Sequence, residues 1–183
     1  MDIGQNVRRI KDNLLLIPEA RFDELTKDTG YTDSFIYLVA CFVLSVPIDL
    51  LVSLVQGAFL ATLTSLPVTL ILFVIFIYAF YGIEFLALRL LGGQASFLQS
   101  MQIFIYGSTG YLIFSSIPCI GFLLGLAALS NVVLGSARIH KISLARAIIA
   151  LVLLPLVIIG ILAVAIAILD SYFTFSQPLL QAH

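Results

Sequence analysis

Charged residues are scarce in this sequence of 183 residues. Only 10% of the residues are Asp, Glu, Lys or Arg and 61% are hydrophobic, whereas an average soluble domain carries roughly 25% charged residues. The few charges are also unevenly placed, because residues 1–33 hold five of the nine Lys and Arg and seven of the ten Asp and Glu. The composition indicates a membrane protein with a short polar N-terminal region. The absence of a basic stripe predicts no nucleic-acid partner.

Cysteine and catalytic motifs are equally sparse. Cys41 lies in an apolar run and Cys119 in a predicted turn, and both are predicted to be free thiols. The sequence contains no HExxH, no GxSxG and no set of Cys and His with metal-ligand spacing. We therefore expect no enzyme activity, no cofactor and no metal site, with an intramembrane enzyme kept as a third hypothesis. No cleavable signal is visible, so the first span is expected to act as an uncleaved insertion signal.

Five segments are apolar enough to cross a membrane, which takes about 20 residues at about 1.5 Å each. The predicted spans cover residues 34–56, 66–91, 97–117, 120–138 and 143–169. Ser65 and Pro67 are start signals for the second span, and Ser96 and Gln99 have the spacing of a capping box before the third. Residues 171–183 would form an extracytosolic tail. The predicted fold is an all-α membrane protein with a bundle of five transmembrane helices.

Residues 1–33 are predicted to form a cytosolic or interfacial headpiece. One face of a predicted amphipathic helix carries Ile3, Val7, Ile10, Leu14 and Ile17. Arg8, Arg9 and Lys11 fall mostly elsewhere, which favours a helix lying on an anionic membrane surface. The alternative is a helix packed against the body of the protein. Pro18 is expected to end this helix and to open the next.

The distribution of basic residues predicts the orientation. If the N-terminus is cytosolic, all the Lys and Arg fall on the cytosolic side and the outer loops and the tail contain none. The residues in question are Arg8, Arg9, Lys11, Arg21, Lys27, Arg89, Arg138, Lys141 and Arg146. This pattern favours five spans with the N-terminus inside and the C-terminus outside. The main alternative merges the third and fourth segments into a re-entrant hairpin around Pro118.

Three polar residues within the spans form a candidate intramembrane site, because such residues are costly in lipid and often functional. They are Asp49, Glu84 and Asn131. Glu84 is interpreted either as a structural partner of another span or as part of a transport or catalytic site. Asp49 follows Pro47, where the first helix is expected to end or kink. Asn131 is expected to hydrogen-bond across a helix interface or to line a polar path.

Small residues predict close helix packing. Gly107 and Gly110 lie in the third span, and Gly121, Gly125 and Gly135 in the fourth. Glycine lets a neighbouring backbone approach closely, which is how spans associate without a hydrophobic driving force. The pattern predicts a tight hairpin of the third and fourth spans, or alternatively a dimer contact.

Gly, Pro and aromatic residues recur in an order that resembles a known family. They are Gly92, Gly93, Ser96, Phe97, Tyr106, Gly110, Tyr111, Ile117, Pro118, Gly121, the HKIS turn at 140–143, Ala147 and Pro155. The PEARFDEL stretch at 18–25 also resembles a short helix that precedes the first span in this family. The chain resembles the Yip-domain family, the Ypt/Rab-interacting polytopic membrane proteins, in the form found in bacteria and archaea.

The resemblance implies a five-span bundle and a non-enzymatic role in membrane organisation, as an adaptor that contacts lipids, another membrane protein or a second copy of itself. In the eukaryotic branch it implies binding of a prenylated Rab-type GTPase, which would extend to this chain only by analogy. The chain departs from that branch, because a DLYGP-like motif is absent and Pro118 stands seven residues after Tyr111. A prokaryotic member would reside in the plasma (inner) membrane. The competing hypothesis is a small transporter or channel that uses Asp49, Glu84 and Asn131.

Overall fold

The structure is a computed structural model that describes residues 10–26, 30–161, 163–164 and 166–167. Within these residues the regular structure is helical. The helices are α1 Glu19–Leu25, α2 Tyr31–Val55, α3 Phe59–Leu90, α4 Phe97–Gly107, α5 Thr109–Phe114, α6 Pro118–His140 and α7 Leu144–Ile148, followed by a π-helix at Ile149–Leu153. Helical structure then resumes from 154 to 161.

Four helices in the described part of the chain are long and apolar enough to cross a membrane. They are α2, α3, α6 and the continuous helical segment Leu144–Ile161. This agrees with the predicted all-α membrane fold. The count of five spans and the orientation stay predictions, because the segment expected to be the third span has a different structure.

The third predicted span, 97–117, is not one helix. It is divided at Ser108 into α4, with 11 residues, and α5, with 6 residues. The sequence Gly107-Ser108-Thr109-Gly110 explains the break, since glycine and serine are poor helix formers in the middle of a helix and such pairs are common sites of kinks. The predicted capping box is confirmed: the Ser96 side chain accepts from the Gln99 backbone, and the Gln99 side chain accepts from the Ser96 backbone.

The expectation that Ser65 and Pro67 mark the start of the second helix is wrong. Helix α3 begins at Phe59 and contains Pro67, so its 32 residues rise about 48 Å against a hydrocarbon core of about 30 Å. Of the end or kink expected at Pro47, the end is wrong, because α2 continues through this residue to Val55. Neither proline interrupts the helix that contains it.

Helix α6 covers the predicted fourth span, and the segment Leu144–Ile161 lies within the predicted fifth. Pro118 occupies the first turn of α6, where its missing N–H costs nothing. Lys141 ends α6 in the left-handed conformation, with φ of 55°. Pro155, predicted as a bend point, is the second residue after the π-helix. A proline there removes the N–H that would pair with the carbonyl of Leu151, which accounts for the widened turn.

The N-terminal region differs from the predicted amphipathic helix. Residues 10–12 are helical, but 13–18 form a turn, a bend and an irregular stretch before α1 begins. Ile10 and Ile17 are buried among the spans, which matches the alternative of packing against the body of the protein and not contact with lipid headgroups. Pro18 opens α1 as predicted.

The core lies where α4 and α5 are enclosed by the other helices. Both pack against α2 and α6, and α1 packs against α4 and α6. Large aromatic and sulfur-containing side chains fill this region, including Phe22, Tyr37, Tyr81, Met101 and Tyr106. Helix α3, in contrast, packs against α2, α4 and the π-helix on one side and leaves most of its surface exposed.

Candidate functional site: the docked N-terminal segment and a lateral cleft

Asn131 holds the extended N-terminal segment in place. Its side-chain Oδ1 accepts from the backbone N–H of Ile17 at 3.0 Å, and its Nδ2 donates to the carbonyl of Leu15 at 2.7 Å. The same Nδ2 also lies 3.1 Å from the carbonyl of Gly107. With 1% of its surface exposed, Asn131 uses both ends of its amide within the protein. One side chain therefore joins α6, α4 and the N-terminal segment.

The segment approaches the helices at backbone distance. A Cβ atom on Gly110 would collide with the carbonyl oxygen of Leu14, and one on Gly107 would lie 3.2 Å from the Asn131 side chain. Only glycine leaves room for an extended chain at the first of these positions. The break between α4 and α5 thus coincides with the place where the segment docks.

A second polar contact anchors the start of the segment to α2. The Tyr37 hydroxyl lies 2.9 Å from Thr109 Oγ1 and 3.4 Å from Asn13 Nδ2. Thr109 Oγ1 donates to the carbonyl of Tyr106 at 2.8 Å, so it accepts the hydrogen bond from Tyr37. All of Asn13, Tyr37 and Thr109 are fully buried.

Helix α1 closes the other end of the segment. Phe22 is fully buried, and its ring lies about 3.0 Å from where a Cβ on Gly135 would be. Outside this contact, Arg138 makes a bidentate ion pair with Asp23: its Nε donates to Oδ1 at 3.2 Å and its Nη2 to Oδ2 at 2.7 Å. Arg21 pairs with Asp12 at 2.7 Å. Apolar packing therefore lies beneath a partly exposed charged rim.

The described basic residues do not all lie at one end of the bundle. Arg138 and Arg146 lie near the C-terminal end of α6, and Arg146 approaches Gly92 after α3. Lys11 instead lines a cavity of about 570 Å³ with Ile117 and Ile120, near the opposite end of α6. Arg8 and Arg9, the other predicted membrane-surface residues, lie outside the described residues. A membrane-surface role for this set stays a prediction.

Glu84 lies in an apolar cleft between α3 and α6, with α4 and α5 behind it. The cleft has a volume of about 650 Å³. Glu84 is 5% exposed, and among the described residues its Oε2 has no hydrogen-bond partner. Aromatic rings of Phe73, Phe76, Phe80 and Phe104 make up much of the wall.

Asp49 lies in a different and more polar place. Its carboxylate accepts hydrogen bonds from Ser45 at 3.1 Å and from Ser116. It lines a cavity of about 360 Å³ between α2 and α3 whose wall includes Gln56 and Thr69. The carboxylate therefore connects α2 to the turn before α6.

The structure does not bring the three candidate residues together. Asp49 and Glu84 line separate cavities, and Asn131 lines neither of them. A shared water-accessible path through these residues is the arrangement that a transporter would need. Their separation counts against that hypothesis.

The predicted packing glycines lie mainly between α4, α5 and α6. Gly107 faces Asn131 and Val132, and Gly125 faces the ring of Tyr111. Gly135 leaves room for the side chains of Ile103 and Phe22. Gly121 instead lies against the backbone of Ser115, which precedes α6. These glycines are used inside one chain in this structure.

His140 is an internal residue that the sequence did not single out. It belongs to the HKIS turn of the sequence, but it is the last residue of α6 and is fully buried. Its Nε2 lies 2.6 Å from Ser100 Oγ, and its ring occupies the space where a side chain on Gly93 would be. The pair Gly92 and Gly93 indicates that another part of the chain comes close to the backbone here, but it does not indicate which residue does so.

The comparison with protein families agrees with this architecture. A model described as the Yip1 domain matches residues 13–167. The chain belongs to the Yip1 domain family. The matched region begins at residue 13, so the docked segment and α1 lie inside the Yip1 domain and not before it.

Together with the apolar helices, the match identifies a polytopic integral membrane protein. Separate searches of curated proteins and of solved structures found no match.

Proposed function

We propose that this Yip1 protein is a non-enzymatic organiser or adaptor in its membrane and acts through contacts with lipids and with other membrane proteins. The observation that supports this most directly is the separation of Asp49, Glu84 and Asn131. Two of them are occupied in joining parts of the chain, as Asn131 does for the N-terminal segment and Asp49 for Ser116. A contact role needs no polar path through the bundle.

The surface available for such contacts is large. Helix α3 exposes a continuous row of aliphatic and aromatic side chains, including Val68, Ile71, Leu72, Ile75 and Phe76. In a membrane, apolar side chains of this kind can face either lipid or another protein, because neither exposes them to water. The partner is a second copy or another membrane protein; a Rab-type GTPase enters only by family analogy.

A flux measurement separates this function from transport. The purified protein is reconstituted into liposomes that enclose fluorescent reporters of protons, of monovalent cations and of small solutes. We expect leak rates equal to those of protein-free liposomes, and no change in Glu84→Gln or Asp49→Asn. A flux that appears with the protein and is abolished by either substitution would overturn the proposal.

A crosslinking experiment tests the adaptor part. A photoreactive amino acid is placed at Ile71 or Ile75, each about 60% exposed on α3, and at the fully buried Tyr81 as the control. The two exposed positions should trap the same membrane protein, or a second copy, from native membranes. If they trap lipid alone, the adaptor role is refuted.

A further inference from the structure

The cleft beside Glu84 lies between two helices, α3 and α6, that hardly touch. Helix α3 packs against α2, α4 and the π-helix, whereas α6 packs against α1, α4, α5 and α7. The space between them is lined on the α6 side by small side chains, Gly125 and Ala128, and on the α3 side by phenylalanines. A volume of about 650 Å³ lies within the range of small-molecule sites, roughly 300–1,000 Å³.

The cleft contains one strongly polar group in an apolar wall. Glu84 is 95% buried, since 5% of its surface is exposed. Its Oε2 finds no donor in the described residues. A buried carboxyl group without a partner is costly, and it is usually paired with a cation or a hydrogen-bond donor. The arrangement suggests that the missing donor comes from outside the chain.

The position of Glu84 along α3 indicates which molecule could supply that donor. Phe73 and Glu84 line the cleft and are eleven residues apart, so the cleft extends about 16 Å along the helix axis. This is about half of a hydrocarbon core of about 30 Å. If the middle of α3, near residue 75, lies at the bilayer midplane, Glu84 is about 14 Å from it, just inside the boundary between the hydrocarbon core and the lipid headgroups. One lipid of one leaflet matches this length.

We propose that the cleft binds a phosphatidylethanolamine-type phospholipid, with one acyl chain along the phenylalanines and the ammonium group on the Glu84 carboxylate. An ammonium supplies both a positive charge and N–H donors. A choline headgroup has the charge but no N–H, and an anionic headgroup brings the wrong sign. The lipid chemistry that complements the site is therefore the primary amine.

This lipid site rests on the proposed contact function and names one of its contacts. The flux and crosslinking measurements above test the function, and they do not depend on which lipid occupies the cleft. A lipid-specific measurement is therefore needed, and its failure would leave those results unchanged.

The absence of tryptophan from the chain makes a fluorescence experiment possible. Leu129 lines the cleft and is 42% exposed, and Leu126 on the same helix is 49% exposed and lies outside the cleft. The Leu129→Trp and Leu126→Trp variants each carry a single tryptophan at similar depth. Each is reconstituted into phosphatidylcholine with one tenth of the lipid as brominated phosphatidylethanolamine, and separately with brominated phosphatidylcholine.

The expected result is excess quenching at one position with one lipid. We consider a cleft that prefers the amine lipid tenfold over phosphatidylcholine, which corresponds to about 1.4 kcal/mol. In the Leu129→Trp variant, the fraction of clefts occupied by the brominated amine lipid would then rise from about one tenth to about one half. Quenching of the Leu126→Trp variant should match the bulk fraction of brominated lipid for both lipids. Adding Glu84→Gln to Leu129→Trp should remove the excess.

Three outcomes would overturn the proposal. Quenching of Leu129→Trp equal for the two brominated lipids would mean that Glu84 does not select an amine. Excess quenching that survives Glu84→Gln would mean that another group recognises the headgroup. Protection of Leu129→Trp from both lipids would indicate that a protein helix occupies the cleft. In each case thermal unfolding of the variants, compared with that of the parent, shows whether the bundle is intact.

Discussion

Replacing Asn131 by leucine should release the extended segment, residues 13–17, from the helix bundle. Leucine has the same number of side-chain heavy atoms and the same branching as asparagine, so the substitution removes the hydrogen bonds while the site stays filled. The segment would lose both contacts of its own backbone with Asn131, at the N–H of Ile17 and at the carbonyl of Leu15.

The expected magnitude follows from what hydrogen bonds contribute in membranes. Measured interhelical hydrogen bonds average about 0.6 kcal/mol and reach about 1.7 kcal/mol. Two bonds to the segment therefore contribute about 1–3 kcal/mol to docking. Because 1.4 kcal/mol is a factor of ten, the undocked population should rise about 5- to 150-fold.

Amide hydrogen exchange measures this population directly. The protein is studied in detergent or in lipid nanodiscs, and exchange is followed by mass spectrometry in a peptide that covers residues 10–25. Local opening releases amides whose protection is set by the docked state. Exchange of this peptide should speed up by the same factor of about 5 to 150 in Asn131→Leu, while exchange in α2 stays unchanged.

The neighbouring serine gives a matched control. Ser130 is exposed on α6, and its hydroxyl donates to the carbonyl of Leu126, so it does not contact the segment. Ser130→Ala should leave the exchange of residues 10–25 as it is. Unchanged exchange in Asn131→Leu, with α6 still protected, would refute the view that the asparagine holds the segment.

Three further predictions follow from the same docking surface. Gly110→Ala places a methyl group against the segment backbone and should speed the same exchange, whereas Gly160→Ala adds a methyl group in open space and should not. Phe22→Ala should lower the thermal unfolding midpoint by the equivalent of about 3–5 kcal/mol, as expected for a fully buried ring; a shift below about 1 kcal/mol would contradict its assigned place. Asp23→Asn breaks a partly exposed pair with Arg138 and should cost at most about 1 kcal/mol, with a smaller effect in high salt.

Local signals near helix ends predicted the fold well. Ser96 and Gln99 form the capping box, and Pro18 stands at the start of α1. These features depend on a few neighbouring residues, so the sequence contains all the information that they need. Pro47 and Pro67 show the limit of the same rule. Within a long apolar helix a proline can be tolerated, because continuing the helix satisfies the remaining backbone groups where no water is present.

The polar residues could be located from the sequence but not assigned to partners. Asp49, Glu84 and Asn131 could be singled out because placing each of them in lipid is costly. That cost shows that each residue needs a polar partner, but it does not show whether the partner is a serine, a backbone group or a lipid. The partner of Asn131 is 114 residues away at Ile17. Sequence periodicity describes one helix at a time, and it contains no term for such a distant contact.

The extended segment and Asn131 are best understood as two halves of one feature. Non-helical backbone is tolerated at membrane depth only where protein groups satisfy its N–H and carbonyl. Asn131 is thirteen residues from Pro118 and nine from His140 in α6, so it lies about 20 Å and 14 Å from the two ends of this helix. An amide side chain offers one donor group and one acceptor, which are the groups that an extended strand presents. An asparagine inside a span can therefore indicate an irregular backbone beside it, and the match of the Yip1 domain from residue 13 onward places that backbone within the domain.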